Sequence, residues 1–210
     1  MRVYHFISEK YGLEALEKKT LKIARIKNLN DPFEGMHFDT DNYLVRETLK
    51  GRINKAHRES GILCFSENFC NPVQWAHYAE SHKGLCLVFD IPDEKIIKIE
   101  YVSERAIGSA FRDALDYKGR DFTKYMLSKK FDHWRYEQEC RVLIGLPGGA
   151  SETKLLFHPF SDEMLLSEVI IGCRSQLSPK LVRATYLRTS PGIVVTKVVP
   201  SVSEFKMVKL

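Results

Sequence analysis

The sequence contains no apolar run approaching the roughly 20 residues that cross a bilayer; stretches such as Gly84–Phe89 stop far short. Its first ten residues include Arg2, Glu9 and Lys10 and no apolar core of signal-peptide length, so a cytoplasmic protein without a membrane partner is expected. Cysteine is sparse and odd in number: Cys64, Cys70, Cys86, Cys140 and Cys173 form no C-x-x-C pair, which speaks against a disulfide framework and a zinc site. His77 has no H-E-x-x-H neighbourhood, and no metal is expected. Neither a phosphate-binding G-x-x-x-x-G-K-[ST] loop nor a G-x-G-x-x-G turn occurs. A G-x-S-x-G elbow is also missing, which leaves serine-hydrolase chemistry without support. Internal repeats, low-complexity tracts and linker-like stretches are absent, so residues 1–210 read as one domain.

What is present suits a globular chain. Its 210 residues are 44% hydrophobic and 28% charged. A chain of this size can bury about 70% of its unfolded surface without staples. The net charge of +5 is spread without blocks of like sign, which permits a nucleic-acid partner without requiring one. Strands are predicted at Arg2–Ile7, Thr20–Arg25, Gly61–Ser66, Gly84–Asp90, Ile96–Val102, Glu139–Gly145, Lys154–His158, Leu165–Gly172 and Gly192–Pro200. Helices are predicted at Glu9–Lys19, Asp39–Glu59, Val73–Ser81 and Pro179–Leu187, and helical propensity runs from Ser103 to Lys130. Asn28–Gly35 is dense in turn formers. Strands and helices without strict βαβ alternation indicate an α+β fold with mixed or antiparallel sheets and flanking helices.

Three clusters concentrate the residues capable of chemistry. In Tyr4-His5-Phe6, strand alternation turns His5 away from its aromatic neighbours, toward a cleft or water. In Gly61–Ser66 and the helix after Asn71-Pro72, an apolar strand ends at Ser66 and Glu67, and Trp75 and Tyr78 stand three apart on one helix face. That face can stack a flat ring or pack in a core. The third cluster runs from Trp134 to Arg141; read as a strand, it puts Glu137, Glu139 and Arg141 on one face. Such a row suits a solvated edge or a polar cleft, where the arginine can hold one carboxylate ionised.

These clusters resemble a bacterial family known as domain of unknown function 2971. The resemblance rests on Tyr4-His5-Phe6, Asn30-Asp31-Pro32-Phe33-Glu34, Cys64-Phe65-Ser66-Glu67 and Trp75-Ala76-His77-Tyr78-Ala79. It continues through Lys83-Gly84 with Phe89-Asp90, and Trp134 with Tyr136-Glu137-Gln138-Glu139-Cys140-Arg141. The order of clusters also resembles, more distantly, the ADP-ribosyltransferase fold, a split β-sandwich. That resemblance implies an enzyme that cleaves NAD, as substrate, and transfers ADP-ribose to a protein or nucleic-acid acceptor, in a bacterial toxin or phage-defence setting. It implies Glu139 or Glu137 as the catalytic carboxylate and His5 as the residue fixing the ribose. Trp75 or Tyr78 would stack on nicotinamide, with Tyr4, Ser66 and Arg141 completing the binding set. Two other readings are compatible with the residues: a metal-independent nuclease using His5, His77, Glu139 and Arg141, and a non-catalytic nucleotide- or partner-binding module.

Overall fold

Two strands that meet and then part organise the molecule. In a computed structural model, which describes residues 1–36, 38, 41–106, 117–148, 153–187 and 193–210, β1 (Arg2–Ile7) lies between β4 (Ser60–Ser66) and β5 (Leu85–Asp90). The ladder with β5 is continuous over six residue pairs, from Arg2↔Asp90 to Ile7↔Leu85. The ladder with β4 has a single paired position, Tyr4↔Ser66. At the far end of β4 the edge is taken by β3 (Ala24–Arg25), pairing Ala24↔Ile62 and Arg25↔Gly61. The sheet therefore splits between β1 and the middle of β4.

On one side of the split, β5 continues into β11 (Leu165–Ile171), β12 (Val194–Pro200) and β13 (Met207–Lys209). On the other, β4 pairs along its length with β9 (Glu139–Gly145), which pairs with β6 (Ile96–Lys98). The β11–β12 pair is parallel and the other pairs of this sheet are antiparallel. The sheet is thus mixed, and the fold is α+β. Two small sheets lie apart: β2 (Thr20–Lys22) with β10 (Phe157–Pro159), and β7 (Glu100–Val102) parallel to β8 (Lys129–Phe131).

β5 reads Leu-Cys-Leu-Val-Phe, apolar throughout, because both its faces are covered. Leu85, Leu87 and Phe89 pack with Val3, Leu16 and Val182 beneath α1 (Glu9–Lys18) and the helix Pro179–Leu187. Cys86 and Val88 face Trp75 of α3 (Pro72–Tyr78) and Ala79 just after it on the other side. Across the split, α2 (Tyr43–Glu59) and α4 (Gly119–Met126) close over β4 and β9 through Ile62, Leu127 and Leu143.

Several expected elements are corrected. Thr20–Arg25 and Ile96–Val102 each divide into two short strands. Helix α2 starts at Tyr43, where the Asn42 side chain accepts the Leu44 and Val45 amides; an Asn cap outcompetes helix propensity upstream. Within Ser103–Lys130 the described helix covers Gly119–Met126 only, and Lys130 lies in β8, paired with Tyr101; the remainder from 107 to 116 is outside the described residues. The expected strand Lys154–His158 forms only from Phe157. Pro147-Gly148-Gly149-Ala150 reads as a turn from its Pro and Gly content, and its residues 149 and 150 are likewise outside the described residues. The row from Trp134 is not a strand up to Glu139. Residues Asp132–Glu137 form a 3₁₀ turn, Gln138 takes a left-handed conformation (φ 42°), and β9 begins at Glu139. No helix among the described residues is long and apolar enough to cross a membrane.

Gly84 sits where the backbone enters β5, and a Cβ there would stand 2.2 Å from the Ile7 carbonyl oxygen. That contact lies far inside van der Waals distance and involves backbone, so strand β1 itself would have to move. Gly84→Ala is expected to lower stability by about 2–3 kcal/mol, read as a reduced urea midpoint with unchanged slope. An unchanged midpoint would show that β1 and β5 are not held this closely.

Candidate functional site

A cavity of about 170 Å³ opens at the split, walled by His5, Cys64, Phe65, Ser66, Gln74 and Tyr78, with Asn30, Lys130, Glu137 and Glu139. Every cluster singled out in the sequence contributes to it, since β1, β4 and β9 are neighbours in the sheet.

His5 points away from Tyr4 and Phe6, as alternation requires, and its Nδ1 lies 2.9 Å from the Cys64 carbonyl oxygen. A carbonyl only accepts, so Nδ1 carries the proton, and in the neutral ring Nε2 is left as an acceptor. Burial lowers the His5 pKa, and the bond to Cys64 offsets this only in part. The ring is therefore neutral at pH 7. Tyr4 and Phe6 also border the cavity, but their rings pack on the opposite layer, Tyr4 against Phe69 (centroids 5.4 Å) and Phe6 against Trp75 (5.1 Å).

Helix α3 separates its two aromatic residues. Trp75 is fully buried and donates its Nε1–H to the Phe69 carbonyl (2.6 Å), so it belongs to the core and does not line the cavity. Tyr78 lines the cavity, accepts a hydrogen bond from Asn30 Nδ2 (2.8 Å) and donates its hydroxyl to Glu137 Oε1. Residues three apart on a helix differ by about 60° in direction, enough at the sheet edge to put one ring under the sheet and the other beside the split. Burial, then the bond to Glu137, raises the Tyr78 pKa and keeps the phenol protonated.

Ser66 lines the cavity with its hydroxyl already engaged. Oγ donates to the Glu137 carbonyl (2.7 Å) and accepts from the Asn68 amide and Gln74 Nε2 (both 3.0 Å). Gln74, 1% exposed, also donates to the carbonyls of Tyr136 (2.9 Å) and Glu137 (2.8 Å). Asn71, which caps α3 through its Oδ1, reaches the same Tyr136 carbonyl with Nδ2 (3.0 Å). Three polar side chains of one short segment thus fix the turn that carries Glu137.

Behind the cavity lies a buried ion cluster. Lys130 Nζ stands 2.5 Å from Glu137 Oε2 and 3.0 Å from Glu139 Oε2. Arg141 binds Glu139 through Nε (2.7 Å) and Nη2 (2.8 Å), Glu34 through Nη1 (2.8 Å) and Nη2 (2.5 Å), and the Leu127 carbonyl through Nη1 (3.1 Å). All five guanidinium N–H groups are spent, and Arg141, 1% exposed, has no donor left for a ligand phosphate. The Glu139 amide donates to the Tyr101 hydroxyl (2.7 Å). Burial alone would raise the Glu139 pKa, but Arg141 and Lys130 more than offset it and hold the group at about 2. Burial would likewise lower Lys130, and Glu139 and Glu137 reverse this, so the ammonium stays charged.

The two glutamates differ in spare capacity. A carboxylate offers about four acceptor positions. Glu139 receives two bonds from Arg141 and one from Lys130. Glu137 receives one from Tyr78 and one from Lys130. Glu137 can therefore accept two more hydrogen bonds from a molecule in the cavity, whereas both oxygens of Glu139 are already bound by Arg141.

Lys130, Glu34, Asn30 and Gln74 were not singled out as site residues by sequence. Glu34 and Asn30 belong to the resemblance to the family of unknown function, which assigns them no role; for Lys130 no local signal exists. Among the described residues, no group of three or more His, Cys, Asp or Glu side chains is arranged to hold a metal ion. Comparison with protein-family models, curated proteins and solved structures finds no match for this chain.

Breaking this cluster leaves buried charge uncompensated, so Arg141→Met is expected to destabilise the fold by about 3–5 kcal/mol, measurable by urea unfolding at pH 7. The pH dependence has a fixed sign. Glu139 is depressed from 4.5 to about 2, so its contribution is present above pH 4.5 and is lost as pH falls toward 2. Wild-type stability should decline across that window, and Glu139→Gln should flatten this part of the decline.

Proposed function

We propose that the chain is an ADP-ribosyltransferase-like enzyme that cleaves NAD and transfers ADP-ribose to a macromolecular acceptor. The observation that carries this reading is the meeting of His5, Tyr78 and Glu137 around one cavity at a split in the sheet. The wider fold assignment, a split β-sandwich of the ADP-ribosyltransferase kind, belongs to the same proposal, as does membership of the family of unknown function. A toxin or phage-defence role follows only from that resemblance.

The size of the cavity supports a single ring as its occupant. A cavity of about 150 Å³ accommodates benzene, and this one, at about 170 Å³, has room for a nicotinamide ring but not for a dinucleotide. In this reading the ring lies against Tyr78 and Phe65, and the ribose reaches His5 and Glu137. His5 Nε2 accepts a ribose hydroxyl and fixes the sugar's pose.

The chemistry asks for a carboxylate more than for an acid. Nicotinamide in NAD is a pyridinium. When its bond to ribose C1′ breaks, the electron pair goes to the ring nitrogen and neutral nicotinamide departs without being protonated. Positive charge develops on the ribose, as in glycoside cleavage, and a fixed anion beside it stabilises the transition state. Glu137 has the acceptor capacity for this role and is held through its backbone by Ser66 and Gln74. Tyr78 and Lys130 orient its two oxygens. Glu139 and Arg141 act one step back, keeping Lys130 in place. The commitment of Arg141 to two carboxylates argues against the nuclease alternative, which needs that guanidinium for phosphate.

The test is nicotinamide release from NAD by purified protein, with and without added protein, RNA or DNA. Glu137→Gln should remain folded by circular dichroism and lose about 100-fold or more in release rate. Glu139→Gln should instead show its main effect in stability. A folded wild-type protein that neither binds NAD nor releases nicotinamide sinks the proposal, and equal activity in Glu137→Gln removes the assigned carboxylate.

A further inference from the structure

Outside the cavity mouth lies an open groove of about 550 Å³ whose walls are aromatic. We propose that it is a base-stacking site for single-stranded nucleic acid, and that a nucleobase held there is the ADP-ribose acceptor; the acceptor role rests on the reading above, the binding role does not.

Two compartments share one wall. Asn30 and Tyr78 line both the cavity and the groove, so a molecule in the groove abuts the chamber where Glu137 sits. The groove's rings come from the end of β8, the 3₁₀ turn and α3. Tyr136 lies edge-on to His77 (centroids 5.7 Å) and is tilted against Trp134 (6.1 Å), and Phe131 stands 4.4 Å from His133. Phe131 is 41% exposed although apolar, and His77 and His133 are also exposed. A 3₁₀ turn brings side chains at i and i+3 onto one side, which puts Trp134 above Glu137 and links stacking surface to carboxylate along a single turn.

A base matches this lining better than an aliphatic ligand does. The groove offers ring faces for stacking together with hydrogen-bonding groups on Asn30, His77 and Tyr78. The exposed Arg135 stands on the same 3₁₀ turn as Trp134 and Tyr136 and supplies a cation beside the rings. Arg135 packs on Tyr101, whereas Lys130 Nζ, 4.9 Å from the Trp134 ring centre, is committed to Glu137 and Glu139. Aromatic platforms beside basic side chains are the general means of binding single strands with little sequence preference. The transfer balances without a further reagent. The C1′–nicotinamide bond breaks, a nitrogen of the base forms the new bond to C1′, and that nitrogen's proton passes to water.

The probe is a fluorescein-labelled single strand of about 12 nucleotides, as DNA and as RNA, titrated with full-length protein and no NAD. Fluorescence anisotropy should report binding that weakens steeply with salt, and a duplex of the same sequence should bind less well. Trp134→Leu and Tyr136→Leu should each weaken binding about tenfold or more while melting like the wild type. Trp134→Phe keeps a ring and should retain binding while losing the quench of tryptophan emission, because the remaining Trp75 is buried. Unchanged affinity in both leucine variants overturns the proposal, as does the absence of strand binding at low salt. Competitive displacement of the strand by NAD alone assigns the groove to NAD and removes the acceptor role. Nicotinamide release is measured separately. Strand binding without release leaves the groove and removes the transferase, and release without strand binding does the reverse.

Discussion

Arg141 is the constraint on which the site depends. Its guanidinium ties Glu34 from the Asn28–Gly35 loop, Glu139 at the start of β9 and the Leu127 carbonyl after α4 into one buried cluster. Removing several charges from water is costly, and only a full set of short, charge-assisted bonds recovers that cost. Glu139, held by Arg141 at both oxygens, accepts a third bond from Lys130 and so fixes the ammonium, and the ammonium fixes one oxygen of Glu137. The cavity-side geometry is thus built from the inside outward, and of the two glutamates Glu137 is the one with more unused acceptor positions.

A second constraint acts from the opposite side. Ser66, Gln74 and Asn71 converge on the Tyr136 and Glu137 carbonyls, so the turn carrying Glu137 is held by backbone bonds as well as by its side chain. The left-handed Gln138 follows directly and redirects the chain into β9. The sheet split supplies the space: β1 and β4 pair at one position, and the His5 ring occupies the Cys64 carbonyl where they have begun to part. Cavity, carboxylate and imidazole therefore share a cause in the divergence of two strands.

Local physics made much of this legible. Period-two alternation gives the orientation of His5 and the shared face of Glu139 and Arg141, and the all-apolar run of β5 announces a strand covered on both faces. The same reasoning misplaced Glu137, since a strand reading puts it in line with Glu139, whereas the chain reaches the same cluster through a 3₁₀ turn and one left-handed residue. Trp75 and Tyr78 show the limit of helical spacing. Three residues make nearly a full turn, yet the remaining 60° separates a core side from a cleft side. Lys130 carried no signal because helix propensity dominates its neighbourhood, and its pairing in β8 with β7 comes from residues some thirty positions earlier.

The sequence by itself determined the α+β composition, most strand and helix positions and the three clusters, because each follows from interactions within a few residues: alternation, capping and turn chemistry. Only the tertiary structure decided that β1, β4 and β9 lie side by side, that Glu34 meets Arg141 across 107 positions, and that Glu137 keeps more acceptor positions open than Glu139. Those outcomes depend on which distant groups compete for the same lone pairs once water is excluded, and no local pattern encodes that competition.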